Sequence, residues 1–273
     1  MNPTTDARPR RAYAQGPYGQ VHFHDIGTGP PVVLLHQAPV SARQFEAVYP
    51  RLAALGVRAI GIDMPGFGMS DPTPFVPRVE DYACAVPAVL DQLGLAQAAV
   101  LGHHTGALVA TEVALQFPAR VGRLILNGPL PLSEAERAAG LEWVRRDEIG
   151  FTPLPDGSHL AKLYQTRAAL AAGTVPGAIL TRYIAETIGG LGPFWYGHHA
   201  AFQYDHGPAI ARLTHRTLIL TNTGDQIHEH ARATRAMRPD FDYVALEGGG
   251  IDVTDQLPDE WSRAVAAFVS EGR

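Results

Sequence analysis

Three things are scarce in this 273-residue chain, and each scarcity removes a class of function. Cys84 is the only cysteine, so no intrachain disulfide can form and zinc centres built from several thiolates are excluded. Its neighbours Tyr82-Ala83-Cys84-Ala85-Val86 read as the packing face of a helix, and nothing nearby is built to lower the thiol pKa, so a buried structural role is expected. There is no excess of positive charge: 22 Lys and Arg stand against 27 Asp and Glu, a net charge of −5, which offers no surface to a polyanion. No apolar stretch has the length of a membrane span, because Gly, Pro or a charge interrupts each run within about ten residues.

The first residues, 1–11, are polar, lack the apolar core of a signal peptide and read as a loose arm on a cytoplasmic protein. A small-molecule substrate is therefore expected, with no nucleic acid, membrane or cofactor as partner. The pattern specifies no oligomeric state. What the chain does have is 46% apolar residues, enough core for one large α/β domain with an insertion.

Period and punctuation place strands at 20–25, 31–36, 57–62, 98–101, 123–126, 217–221 and 243–246. Helices are expected at 43–55, 79–93, 107–117, 227–237 and 258–269. This alternation predicts an α/β fold with a doubly wound, mostly parallel sheet. Across 129–208 the rhythm fails, giving helical stretches with Pro, Gly and most of the aromatics. That segment reads as a helical cap, with 1–128 and 209–273 as the core.

The run Val100-Leu101-Gly102-His103-His104-Thr105-Gly106-Ala107-Leu108 carries a strand through Gly-x-x-x-Gly into a helix. This is the setting of a nucleophile elbow, where two glycines permit close approach and the central residue is held exposed at positive φ. That residue is His104, and histidine tolerates left-handed φ better than most. With the Asp63-Met64-Pro65-Gly66-Phe67-Gly68-Met69-Ser70-Asp71 loop and the cap, these features resemble the α/β-hydrolase superfamily from about residue 19 to the C-terminus. His36-Gln37-Ala38-Pro39-Val40-Ser41 resembles the His-Gly-x-Pro-x-Ser loop of epoxide hydrolases and haloalkane dehalogenases, departing at Gln37, where those families have glycine.

The resemblance implies an oxyanion hole from the backbone amides of Gln37 and Thr105. The Gln37 side chain is left either to bond a ligand or to turn outward. It also implies a triad acid at Asp225, in Asn222-Thr223-Gly224-Asp225, and a histidine in a late Gly-Gly-x-His-like loop. Here that loop reads Glu247-Gly248-Gly249-Gly250-Ile251-Asp252, with Ile251 at the aligned position. The imidazole is missing from the late loop and present on the elbow. It reaches roughly 2 Å further from its Cα than a serine oxygen, which brings His104 towards Asp225 and predicts a His104–Asp225 dyad.

In such a dyad the Asp fixes the tautomer and the other nitrogen is a general base near neutral pH. Three functions follow: hydrolysis of a small ester- or lactone-like carbonyl substrate; cofactor-free lyase, isomerase or cyclase chemistry by proton transfer; or ligand binding by an inactive site. Direct acylation of the imidazole lacks a second base.

Other polar residues compete for roles. His36 is placed beside the oxyanion loop, as substrate contact or loop anchor. His228 is an auxiliary base or a solvated first-turn residue. In Phe194-Trp195-Tyr196-Gly197-His198-His199, Trp195 is expected to line the pocket, or else to form the cap's own core. Asp252 and Asp255 read as turn and cap residues. No metal is expected, since His228-Glu229-His230 splits its rings around a helix and His103 should face away from His104.

Overall fold

A computed structural model of the chain describes residues 8–271. Eight strands form one sheet: β1 Arg10–Gly16, β2 Gly19–Ile26, β3 Pro31–Leu35, β4 Arg58–Ile62, β5 Ala98–His103, β6 Val121–Asn127, β7 Thr217–Asn222 and β8 Asp242–Leu246, in the order β1-β2-β4-β3-β5-β6-β7-β8. The β1–β2 and β2–β4 pairs are antiparallel and the rest parallel. The helices before the excursion are α1 Tyr49–Ala54, α2 Val79–Tyr82, α3 Ala85–Gln92 and α4 Thr105–Gln116. Between β6 and β7 lie α5 Glu134–Trp143, α6 Ser158–Ala171, α7 Gly177–Gly189, α8 Tyr196–Gln203 and α9 His206–Ala211. The chain ends with α10 His228–Met237, α11 Val253–Gln256 and α12 Pro258–Ser270.

Strand alternation divides the interior. Val33 and Leu35 of β3 join one core with Val100 and α4, whereas Val32 and Leu34 join the other with Leu101, Phe45 and Trp261. Both faces are therefore covered, as a parallel sheet requires.

Three expectations are corrected. Residues 10 and 11, expected in the loose arm, open β1, which is hairpin-paired to β2; only Ala14 of it is buried, so the apolar alternation was too faint to read. Residues 1–7 of the expected arm lie outside the described residues. The helix expected at 43–55 is instead a 3₁₀ turn, Ala42–Phe45, followed by α1, and that expected at 79–93 is α2 and α3. Pro50 and Pro87 each lack an N–H and clash with the carbonyl four residues back, which breaks both helices there.

The helical excursion, called the cap below, is tied to the core by polar contacts. Glu186 of α7 accepts from the Ser41 amide (3.0 Å) and hydroxyl (2.8 Å), and Arg182 bonds Asp255 at 2.6 Å. Burial raises the Glu186 carboxyl pKa although the Ser41 bonds oppose it. Beneath the site, the fully buried Trp261 donates Nε1–H to Asn127 Oδ1 at 2.7 Å. The Asn127 carbonyl in turn accepts the His104 amide at 2.8 Å, which pins the elbow to β6. No helix among the described residues is long and apolar enough to cross a membrane.

The two elbow glycines are irreplaceable for a visible reason. A Cβ at Gly102 would fall 1.8 Å from the Gly106 carbonyl oxygen, and one at Gly106 would fall 2.2 Å from the Leu35 carbonyl oxygen. Backbone cannot yield as a side chain can. Gly102→Ala and Gly106→Ala are each expected to lower the thermal midpoint by more than about 8 °C, the equivalent of about 4 kcal/mol or more. Gly189→Ala, where a Cβ meets nothing within 4 Å, is expected to be neutral or slightly stabilising. Calorimetry of the three variants checks this, and an unchanged midpoint for Gly102→Ala would contradict it.

Candidate active site

His104 stands between β5 and α4 at φ 50°, ψ −113°, the positive φ expected of an elbow. Its Nε2 lies 2.7 Å from Asp225 Oδ2, and the pair is buried, with side chains 10% and 0% accessible. Asp225 follows β7, and its Oδ1 also accepts the Ile227 amide at 3.1 Å. Burial alone would raise the Asp225 pKa; the facing, hydrogen-bonded His104 imidazole and the Ile227 amide overcome it and hold the carboxyl at about 2. A carboxylate on Nε2 fixes the proton there, so Nδ1 is the basic nitrogen. It has no protein partner among the described residues.

Room for the ring comes from Gly128, at φ +68°. A Cβ there would lie 2.7 Å from His104 Cδ2 and 2.9 Å from Ile227 Cδ1. Sequence reading treated this residue only as the boundary of the cap. Its signal, a glycine directly after the strand next to the elbow, was present but had no partner to give it meaning.

A cavity of about 930 Å³ opens over the pair, at the upper end of what small-molecule sites use. Its floor includes Gln37, Ala38, His104, Thr105, Ile227 and Ile251, and its roof Trp143, Phe151, Phe194, His198 and Phe202 from the cap. Ile251 thus takes its place at the wall where the late-loop imidazole was missing.

The expected oxyanion donors need one correction. The Gln37 amide is engaged by Gln44 Oε1 at 2.9 Å. The amide of the next residue, Ala38, has no acceptor among the described residues, and neither has that of Thr105 at the first turn of α4, where no intrahelical partner exists. Both residues line the cavity. The fixed pair is therefore Ala38 and Thr105, with Gln37 contributing its position on the wall.

Three further residues take the second of the roles open to them, away from the cavity. His36 is completely buried, donating from Nδ1 to the Gln37 carbonyl (2.8 Å) and accepting the Met64 amide at Nε2 (3.0 Å); it anchors two loops and does not reach the cavity. Trp195 packs on Tyr196 and His199, with ring centroids 4.6 and 5.4 Å away. It shares the outer face of α8 with His199, while His198, Ala201 and Phe202 turn inward, so Trp143 supplies the indole of the roof. His228 meets Thr221 Oγ1 at 3.2 Å and is absent from the cavity wall; Gln226 and Ile227 stand there instead.

His103 does not face away. The elbow folds the chain back so that the His103 and His104 ring centroids are 4.3 Å apart. Nitrogen and oxygen ligand atoms of His103, His104 and Asp225 lie within 4.8 Å of one another, a spacing that a metal ion could use. The hydrogen bonds assign His103 differently. Gln44 turns Oε1 to the Gln37 amide, so its NH₂ faces His103 Nδ1. His103 then accepts at Nδ1 and carries its proton on Nε2, whereas a ligating histidine donates from its outer nitrogen and binds with the inner lone pair. Burial, with His104 adding to it, pushes the His103 pKa well down, so the ring is neutral.

Comparison with known proteins agrees with this architecture. The α/β hydrolase fold family matches residues 30–168. The chain is 36% identical over 116 residues to bifunctional epoxide hydrolase 2 of Sus scrofa, covering 40% of this chain and 20% of that one. It is 31% identical over 181 residues to haloalkane dehalogenase of Mycobacterium marinum, covering 62% and 56%. The matched part thus spans a fifth of the first relative and little more than half of the second. Among solved structures it is similar to a bromoperoxidase from Bacillus anthracis, with TM-score 0.79, 21% identity, and 96% and 100% of the two chains covered. Sheet order, elbow and matched family coincide over the same residues, and the chain belongs to the α/β hydrolase fold family.

Proposed function

We propose that the protein hydrolyses a small ester- or lactone-like carbonyl compound, with His104 as general base on water and Asp225 as its orienting partner. The observation that carries this reading is the 2.7 Å contact between His104 Nε2 and Asp225 Oδ2, which leaves Nδ1 as the base. The hydrolases named among the relatives support the reaction class. The central elbow position carries an imidazole in place of a hydroxyl or carboxylate that could be acylated or alkylated, so water is taken as the nucleophile.

A water held by Nδ1 attacks the carbonyl carbon and passes a proton to the imidazole. The ring, now doubly protonated, is stabilised by the ionised Asp225. The oxygen of the tetrahedral adduct is met by the amides of Ala38 and Thr105, fixed dipoles that need no reorganisation when charge develops. The aromatic roof excludes bulk water and raises the worth of both interactions.

Three outcomes are expected. On a panel of short-chain 4-nitrophenyl esters and small lactones in ¹⁸O-water, one heavy oxygen should enter the acid product, and His104→Ala and Asp225→Asn should each lower kcat/KM by about 10²–10⁴-fold. Both variants turning over at the wild-type rate would exclude the dyad, and substrate consumed without ¹⁸O uptake would point to proton-transfer chemistry. Because Asp225 is held at about 2, its ionisation should put no step in the kcat/KM profile across the ordinary carboxylate range, and a step there that disappears in Asp225→Asn would contradict this. Gly128→Ala puts a side chain at positive φ and crowds the His104 ring, and should cost at least about tenfold in kcat together with a lowered thermal midpoint; full activity in that variant would show that the ring does not need the space.

A further inference from the structure

The cap carries a second histidine–carboxylate pair over the same cavity. At the start of α8 the chain touches the oxyanion loop so closely that a Cβ on Gly197 would fall 2.6 Å from Ala38 Cβ and 2.9 Å from Phe67 Cζ. The next residue, His198, turns its ring into the cavity. Its Nδ1 lies 2.7 Å from Glu148 Oε1, and Glu148, 7% exposed, comes from the π-helical turn Val144–Ile149 that ends α5. The other Glu148 oxygen has no partner among the described residues. Trp143 stands edge-on to the His198 ring at 5.2 Å, and Phe202 lies 6.4 Å away at a shallow angle.

The polar group that hydrogen-bonds this ring, the Glu148 carboxylate on Nδ1, is an acceptor and asks the imidazole for a proton. Burial by itself would lower the His198 pKa, but Glu148 outweighs it and the value is raised. Of the other charged or titratable groups on the cavity wall, Arg146 pairs with its neighbour Asp147, His159 accepts the Leu154 amide, Arg167 pairs with Asp252 through one terminal nitrogen while its Nε and Nη1 have no partner among the described residues, Tyr183 of α7 lies under the Arg167 guanidinium, and Lys162 lies on α6. Glu148 is thus the carboxylate in contact with His198.

We propose that His198 is the general acid of the reaction, delivering a proton to the leaving oxygen as His104 takes one from water. This rests on the hydrolytic reading of His104. Water's oxygen forms the new bond to the carbonyl carbon, and one water proton goes to His104 Nδ1. The bond from that carbon to the leaving oxygen breaks, with its electron pair staying on the oxygen, which takes the proton from His198. His104 is left protonated and His198 neutral, and exchange of one proton each with solvent restores both. Two imidazole–carboxylate pairs, one presenting a lone pair and one presenting an N–H, divide the base and acid roles by environment.

The test uses two readouts on the full chain. Histidine side-chain NMR of wild type, Glu148→Gln and His198→Gln assigns the His198 resonance and its charge. Its pKa should lie above the ordinary histidine value in wild type and fall in Glu148→Gln; a wild-type value at or below the ordinary one, or one unmoved by Glu148→Gln, overturns the proposal whether or not a substrate is found. With ethyl acetate and 4-nitrophenyl acetate as probes, loss of an acid harms the poor leaving group more. His198→Gln should cost the ethyl ester at least about 30-fold more in kcat than the nitrophenyl ester. Equal losses on both esters would assign His198 to packing or binding and overturn the acid role. Failure of the underlying reading looks different: His104→Ala would then leave both esters turning over as in wild type.

Discussion

An imidazole at the tip of β5 must find space and a proton partner at once, and the rest of the site is arranged around that requirement. The positive φ at His104 lifts the ring out of the sheet, Gly128 vacates the volume beside it, and Asp225, at the end of β7, stands where the longer side chain reaches it. The amide of His104 is fixed by the Asn127 carbonyl, and Asn127 by Trp261. A residue buried in the far core thus sets the height of the elbow. Because the elbow is over-determined in this way, its strained backbone can persist.

Hydrogen-bond direction propagates from the same place. Gln44 bridges the Gln37 amide and His103, so one side chain decides both which loop amide is left for substrate and which nitrogen of His103 carries the proton. Moving the free donor from Gln37 to Ala38 brings it under the cap helix that carries His198, since Gly197 rests on Ala38. The floor and roof of the cavity therefore meet at one short loop. Glu186 holds that same loop to α7 through Ser41.

Much of this was legible in sequence. Strand and helix order followed from apolar period and from Gly and Pro punctuation. Asp225 was found by its place after a strand, and His104 by the two glycines around it. What could not be read were pairings set by tertiary contact. The faint alternation of β1 gave no signal because its exposed face is charged and its inner face is mostly alanine. Gln44 has no local pattern at all, since its partners lie seven and 59 residues away. Glu148 and His198 are 50 residues apart and meet only when α5 and α8 pack together. Trp195, left open between the pocket and the cap's own core, stands just before α8 and packs on Tyr196 and His199.

The most direct examination of the His104–Asp225 arrangement is the tautomer and hydrogen bonding of the His104 ring, read by ¹⁵N–¹H correlation through the imidazole carbons in wild type and Asp225→Asn. The geometry predicts a proton on Nε2, shifted far downfield by the carboxylate and lost from that position in Asp225→Asn, with Nδ1 showing the resonance of an unprotonated nitrogen. A proton resident on Nδ1, or an Nε2 proton unaffected by removing the Asp225 charge, would contradict it.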